Sequence, residues 1–256
     1  MTPNEHVAAV AAETDRFTTV VRSADPTTPV PGCPGWTLTD LLRHAGSVQR
    51  WFTVLLRQRV QAPPTSRDVD LKLPERAEDY PTWLTEAGAE AGATFTETDL
   101  DAPMWAWGAD QHARFWVRRM LFETLVHRAD AELALGLKPE IDPDLAADGV
   151  DEFLTNLPYA ASFAPRTAGL RGDDRTVRFT RTDGDGDWLV RLRPDGFGLD
   201  AAAPNGPTAP TADAGVSATA ADLLLLLYGR IDRSAPEVTV AGDEELLDLW
   251  FTNSAF

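Results

Sequence analysis

A carboxylate and an imidazole four residues apart give this sequence its clearest chemical signal. In an α-helix, Glu123 and His127 would lie one above the other on the same face, so a carboxylate oxygen and a ring nitrogen can converge on one point. A third candidate, His44, lies in an earlier segment that also has helical character. Two histidines and one carboxylate form a familiar ligand set for a catalytic zinc ion, with a fourth position open for water or substrate.

The Glu/His spacing is weak evidence when taken alone, because such pairs are common on helices. His127 lies in an otherwise apolar stripe, and helical periodicity therefore turns it inward. An inward Glu123 needs compensation, since an unpaired buried carboxylate is costly to desolvate. A metal ion or a nearby arginine, such as Arg119 or Arg128, would provide it. The residues by themselves leave both explanations open.

The N-terminal half of the sequence predicts four helices that would position these side chains. They begin near residues 4, 37, 81 and 113, and long connections separate them. Thr37 followed by Asp40 indicates a capped helix start, which places His44 about two turns inside the second helix. Ligand candidates on the second and fourth helices predict a bundle with a metal near its core.

Beyond about residue 168 the helical periodicity gives way to alternation. Val177 and Phe179 would share one face of a strand, and the turn residues 183–186 precede a second alternating segment at 188–192. Further strands are predicted at 215–218 and 237–240, and further helices at 143–157, 220–228 and 244–251. The sequence therefore predicts a helical domain at residues 1–165 and a smaller α+β domain at residues 166–256.

Composition excludes several classes of partner. The net charge of −17 argues against nucleic acid and against an anionic membrane surface, because both attract basic patches. No segment approaches the roughly 20 apolar residues of a membrane span. Cys33 is the only cysteine, so an intrachain disulfide is impossible and a reducing environment is expected. We therefore expect a soluble, cytoplasmic protein, either a monomer or a small homo-oligomer.

Three segments resemble the mycothiol-dependent maleylpyruvate isomerase family, in the right order and over nearly the whole chain. Residues 33–44 resemble its opening signature, residues 115–132 its second ligand segment, and residues 221–230 its small C-terminal domain. The resemblance implies an α+β protein in which a DinB-like four-helix bundle is followed by a smaller α+β domain. It also implies that zinc, or another divalent metal, is held by His44, Glu123 and His127.

The same resemblance implies a metal-dependent enzyme that activates mycothiol, its thiol cosubstrate, for addition to a small electrophile. The reaction would be maleylpyruvate-isomerase-like cis–trans isomerisation or thiol S-transfer. Arg230 is the candidate catalytic residue, since a planar guanidinium can bind an anionic group through two parallel hydrogen bonds. In the alternative, Arg230 is only a cation that interacts favourably with the C-terminal end of the helix dipole. Phe122 departs from the family, in which the residue before the metal-binding Glu is often His.

Two further questions remain open at this level. The chain could instead be a non-catalytic metal-binding or regulatory DinB-like protein. If Cys33 were a fourth ligand, the site would have the four protein ligands of a structural zinc site, which would favour this alternative. The aromatic residues ahead of and within the fourth helix could wall off a substrate cleft or simply plug a loop. They are Trp105, Trp107 and Trp116.

Overall fold

The computed structural model describes residues 1–64, 69–200 and 211–255, so part of the predicted connection at 61–70 lies outside the described residues. The chain divides into two compact units, residues 1–140 and residues 141–256. The first is helical and the second is α+β, which confirms the predicted fold class. None of the helices in the described ranges is long and apolar enough to cross a membrane.

Four helices form the N-terminal unit. They are α1 (Pro3–Val21), α2 (Leu38–Gln58), α3 (Tyr80–Glu97) and α4 (Ala113–Ala134). Helices α1 and α2 each pack against both α3 and α4, which is the arrangement of a four-helix bundle. Fully buried apolar side chains such as Phe17, Leu41 and Leu84 fill the space between the helices.

The start of α2 is fixed by a capping box. The Thr37 hydroxyl accepts a hydrogen bond from the Asp40 amide at 3.3 Å, and the Asp40 carboxylate accepts one from the Thr37 amide at 3.0 Å. These two bonds satisfy donors that a helix N-terminus otherwise leaves unpaired. The predicted helix start is confirmed, and it sets the rotation of His44 relative to the bundle.

Within the described residues of the C-terminal unit, three α-helices pack with a five-stranded sheet. The helices are α5 (Pro143–Asn156), α6 (Ala220–Leu227) and α7 (Glu244–Ser254), and the strands are β1 (Arg175–Arg181), β2 (Asp187–Arg193), β3 (Gly196–Leu199), β4 (Ala214–Ala218) and β5 (Thr239–Gly242). The strand order is β3-β2-β1-β4-β5, with β1 and β4 parallel and the other pairs antiparallel. The 223–227 run of leucines in α6 is wholly buried, as its lack of a polar face predicts.

Two features differ from the sequence-based expectations. The division by packing falls after residue 140 and not after residue 165, because α5 packs against α6 and therefore belongs with the second unit. Strand β3 was not predicted, since it has only four residues and two of them are glycines, which are unfavourable in strands. The predicted hairpin joining β1 to β2 is confirmed, with Phe179 opposite Trp188.

Gly46 lies in the middle of α2, where the helix passes close to α3. A Cβ atom at this position would overlap the indole ring of Trp83, which is itself buried. We expect Gly46→Ala to lower the free energy of unfolding by about 1–3 kcal/mol, because overpacking forces a buried ring to move. Chemical denaturation of the metal-free protein measures the change.

Gly92→Ala is the matched control, because Gly92 lies in the middle of α3 with nothing within 4 Å of the added Cβ. This substitution should raise stability by about 0.4–1 kcal/mol through loss of backbone entropy in the unfolded chain. A Gly46→Ala protein as stable as the wild type would contradict the predicted overlap.

Candidate metal centre

The three predicted ligand residues meet where α2 faces α4. The Nε2 atom of His44 lies 3.0 Å from Oε1 of Glu123, and the Nε2 atom of His127 lies 3.2 Å from that same oxygen. One donor atom from each residue falls within 4.8 Å of the others. The structure therefore brings both imidazole nitrogens and one carboxylate oxygen to a single point.

The cluster is partly open to solvent. The side chains of His44, Glu123 and His127 are 35%, 24% and 12% exposed, so the cluster has an open side near His44 and a closed side near His127. A cavity of about 350 Å³ adjoins His44. Its other lining residues are Trp36, Asp40, Arg43, Ser47, Leu71 and Leu73.

Arg119 supports the carboxylate from its other side. Its Nη2 atom donates to Oε2 of Glu123 at 3.3 Å from one turn earlier on α4. Arg128, the other arginine considered for this role, instead donates to Glu13 and Glu132 at 2.5 Å each. Of the two compensating arginines proposed from the sequence, the structure selects Arg119.

Asp130 is the residue of the site that sequence reasoning missed. Its carboxylate is completely buried and its Oδ2 atom lies 2.9 Å from Nδ1 of His127. The thiol of Cys33 donates to the same oxygen at 3.5 Å. The available signal was the spacing of three between His127 and Asp130, which places two side chains on one helix face.

Cys33 does not join the three convergent donors. Within the described part of the chain, Cys33, His127 and Asp130 form a second group of potential ligands, and it shares only His127 with the first. Cys33 is therefore close to His127 and Asp130 but is not grouped with His44 and Glu123. A four-ligand site made of His44, Glu123, His127 and Cys33 is not what the geometry presents.

Trp36 is the aromatic residue at the centre. Its ring lies 5.1 Å from that of His44 and 6.3 Å from that of His127, measured between centroids. The tryptophans considered either as a cleft wall or as a loop plug form a separate cluster, in which Trp116 is fully buried and its ring centroid lies 5.7 Å from that of Trp105. Trp116 also donates its ring N–H to the Trp105 carbonyl at 2.9 Å, which anchors the loop before α4.

Burial and hydrogen bonding have opposite effects on the pKa values of Glu123 and His127. Burial by itself would raise the pKa of Glu123, but hydrogen bonds from His127 and His44 and the charge of Arg119 hold that pKa well below 4.5. Burial would lower the pKa of His127, but hydrogen bonds to Asp130, Cys33 and Glu123 raise that pKa well above 6.5. Without a metal, hydrogen bonding therefore favours the protonated imidazole of His127 and the ionised carboxylate of Glu123.

Arg230, the candidate catalytic residue, lies just beyond the end of α6. The chain turns there at Gly229, whose φ is +72°, and the Arg230 amide donates to the Leu225 carbonyl at 2.7 Å. The guanidinium Nη1 donates to the Tyr228 carbonyl at 2.5 Å. This geometry is that of a Schellman motif with a cation at the helix end.

Phe122, the departure from the family pattern, is fully buried and ranks among the largest side chains of the bundle core. Its neighbour Glu123 faces the metal centre. The substitution therefore adds apolar volume to the interior and leaves the three convergent donors intact.

The fold and the centre define a DinB-like four-helix bundle joined to a small α+β domain. Residues 7–132 match the family model of the mycothiol maleylpyruvate isomerase N-terminal domain, and residues 144–249 match that of the MDMPI C-terminal domain. The chain belongs to the mycothiol maleylpyruvate isomerase family. No curated protein matches the sequence.

Two solved structures share the fold. A histidine-to-alanine mutant of the mycothiol-dependent maleylpyruvate isomerase superposes with a TM-score of 0.63, and the unmutated isomerase with 0.62. Each is 13% identical in sequence, and each alignment covers 94% of this chain and 93% of the other. The likeness therefore extends over both units of the fold.

The shifted pKa values predict how the metal-free protein responds to pH. Because the folded pKa of His127 is raised, its contribution to stability is complete below about pH 6.5 and is lost as pH rises through the raised pKa. Glu123 has a lowered pKa, so its contribution is present above about pH 4.5 and is lost as pH falls through the lowered pKa.

We expect His127→Gln to destabilise the chelator-treated protein most near pH 6, with the difference from wild type shrinking as pH rises. Urea unfolding at a series of pH values measures this. His112→Gln is the comparison, because His112 lies at the start of α4 and pairs with Asp110 outside the cluster. A His127→Gln deficit that stays constant across the alkaline range would contradict the assignment.

Proposed function

We propose that this protein is a metal-dependent enzyme that activates mycothiol for addition to a small conjugated electrophile, in a maleylpyruvate-isomerase-like cis–trans isomerisation. The observation that carries the proposal is the convergence of both Nε2 atoms on Oε1 of Glu123. Family membership supports the identity of the thiol, since the matched domain is named for mycothiol.

The donor set fits a divalent metal. A tetrahedral ion with bonds of about 2.0–2.1 Å separates its ligand atoms by roughly 3.3 Å. The two nitrogen-to-oxygen separations here are 3.0 and 3.2 Å, close to that spacing. A mixed imidazole and carboxylate set suits zinc, although other divalent metals take the same ligands. His44, Glu123 and His127 would hold the ion, which would favour the thiolate form of a bound thiol.

The surrounding residues prepare the centre for that chemistry. Against the effect of burial, hydrogen bonds from His127 and His44 lower the pKa of Glu123, and the charge of Arg119, which donates to Oε2, adds to that effect, so the ionised carboxylate can bind through Oε1. Trp36 places an apolar ring near both imidazoles, with centroid distances of 5.1 Å to His44 and 6.3 Å to His127. The cavity beside His44 leaves room for a small substrate on the open side of the cluster.

The proposed reaction needs no net change in the thiol. The thiolate sulfur bonds to one carbon of the conjugated C=C bond, and the π electron pair moves onto the conjugated carbonyl as an enolate. The former double bond is then a single bond, about which the two halves rotate. Elimination of the same sulfur then restores the double bond in the other geometry and releases the thiol unchanged. Isomerisation therefore consumes no thiol, whereas the competing S-transfer reaction would consume one thiol per turnover.

Arg230 is proposed to bind an anionic group of the substrate or the thiol. Its guanidinium is planar, always charged and able to form two parallel hydrogen bonds to a carboxylate. The contact from Nη1 to the Tyr228 carbonyl fixes one arm of the fork and orients the group. A lysine could replace Arg230 as a cation at the helix end, but it could not form the two parallel hydrogen bonds. A substitution therefore distinguishes the two roles.

The rival function is a non-catalytic, metal-binding or regulatory protein. Structural zinc sites usually have four protein ligands. Here three donors converge, and the only cysteine hydrogen-bonds to Asp130 instead of completing the set. The incomplete set favours a centre that accepts an exogenous ligand, and hence the catalytic proposal.

The metal itself is the first test. Protein purified without chelators should contain about one equivalent of a divalent metal per chain, most of it zinc. His44→Ala should lose most of that metal, while His112→Ala, which removes a histidine outside the cluster, should retain it. Elemental analysis measures both variants. Wild-type protein that carries no metal and gains no thermal stability from added zinc would overturn the metal centre.

Thiol dependence is the second test. Activity toward a conjugated electrophile should require mycothiol and metal together, with no net loss of thiol over many turnovers. Cobalt-substituted protein should change its ligand-field spectrum when mycothiol is added. An unchanged spectrum at saturating thiol would sink thiol activation and leave the rival function. Stoichiometric loss of thiol would replace isomerisation by S-transfer.

Arg230→Lys tests the anion-binding role. The variant should lose at least about tenfold in kcat/KM, because a lysine keeps the charge but lacks the planar fork. Arg233→Lys is the control, since Arg233 is the next arginine in the chain and pairs with Asp248. If the Arg230→Lys protein keeps wild-type kcat and KM, Arg230 serves only the helix end.

A further inference from the structure

We infer that Asp130 is a positioning residue that selects which nitrogen of His127 faces the metal centre. The inference rests on the proposed metal centre and goes beyond it, because it assigns a role to a residue outside the ligand set. It also accounts for the contact between Cys33 and Asp130 without making Cys33 a ligand.

The two nitrogens of the His127 ring address two different carboxylates. Nδ1 lies 2.9 Å from Oδ2 of Asp130, and Nε2 lies 3.2 Å from Oε1 of Glu123. A histidine that binds a metal is neutral and carries one ring proton, so the nitrogen that donates to Asp130 leaves the other with a lone pair for the metal. With Nδ1–H held by Asp130, the lone pair is on Nε2, which points to the convergence of donors.

The burial of the two carboxylates separates their roles. Asp130 is completely buried whereas Glu123 is 24% exposed, so only Glu123 adjoins the open side of the cluster. The contacts of Oδ2 of Asp130 with the Cys33 thiol and with Nδ1 of His127 hold this buried carboxylate in one orientation. A metal-binding histidine characteristically donates its second ring N–H to such a group, which fixes the ring orientation.

Asp130 also ties the loop before α2 to the same histidine. The Cys33 thiol donates to Oδ2 of Asp130 at 3.5 Å. From Cys33 the chain turns through Gly35, whose φ is +84°, and the Trp36 amide donates to the Cys33 carbonyl at 3.0 Å. This tight turn brings the centroid of the Trp36 ring to 6.3 Å from that of His127. The carboxylate of Asp130 therefore contacts both the imidazole of His127 and the loop that carries Trp36.

The test combines zinc affinity with the position of the ring proton. In zinc-loaded wild-type protein, proton–nitrogen NMR of His127 should show a hydrogen-bonded proton on Nδ1 that exchanges slowly. Asp130→Ala should abolish this protected proton and weaken zinc binding about 10–100-fold, measured by competition with a chromophoric chelator. Asp130→Asn, which keeps the shape and a neutral acceptor, should give an intermediate loss and serves if the alanine variant does not fold.

Arg128→Met is the matched control for removing a buried charge from α4. Arg128 is fully buried, but its partners are Glu13 and Glu132, neither of which is a proposed ligand. The variant should melt at a lower temperature and keep its zinc affinity within about twofold. Asp130 variants that lose thermal stability but keep wild-type zinc affinity and the Nδ1 proton would reduce Asp130 to a packing role and overturn the inference.

A second result would overturn it differently. Cobalt-substituted protein with a sulfur-to-cobalt charge-transfer band that disappears in Cys33→Ser would show that the metal lies among Cys33, Asp130 and His127. Asp130 would then be a ligand. The absence of this band, together with the affinity loss in the Asp130 variants, supports the positioning role.

Failure of the proposed function can be told apart from failure of this inference. If the wild type binds no zinc, the proposed metal centre is refuted. The proton on Nδ1 of His127 is then measured by NMR in the metal-free protein. A protected proton that is lost in Asp130→Ala would still support the orienting contact, and a proton that exchanges freely in the wild type would refute it.

Discussion

The shared contact at Oε1 of Glu123 is the interaction on which the site depends. Two imidazoles from different helices reach one carboxylate oxygen, at 3.0 Å from His44 and 3.2 Å from His127. Contacts of this length tolerate little sliding of α2 along α4, since a shift of one residue moves a side chain by about 1.5 Å along the axis and by 100° around it. The capping box at Thr37 and the close approach at Gly46 therefore matter to the chemistry, because they fix where α2 begins and how it lies in the bundle.

Helix α4 carries this site on a stripe of alternating charge. Arg119, Glu123, His127 and Asp130 follow one another at spacings of four, four and three along one face, and each contacts the next. A second buried group, in which Arg128 bridges Glu13 and Glu132, lies between α1 and α4. Breaking such buried pairs is strongly destabilising, because the remaining charge has no compensation. The helix can therefore carry many charged residues inside a bundle only because these charges are paired.

Sequence reasoning reached the elements whose signals are local. The start of α2, the extent of α4 and the β1–β2 hairpin follow from capping residues, periodicity and turn residues, and the i,i+4 spacing of Glu123 and His127 foretold their shared face. Features that depend on packing between distant segments were out of reach. The assignment of α5 to the second unit depends on α6, and the aromatic beside the imidazoles is Trp36 because a loop folds back, while the more conspicuous Trp105 and Trp116 anchor a different loop.

The position of Cys33 explains why such a centre would suit catalysis more than structure. A thiol a few ångströms from a histidine could have completed a closed tetrahedral site, but this one hydrogen-bonds to the oxygen of Asp130 that contacts Nδ1 of His127. Because Cys33 is not grouped with the three convergent donors, the three-residue set keeps an open side near His44. An incomplete set that opens beside a cavity can exchange its remaining ligand, and exchange of that ligand is what activation of a small thiol requires.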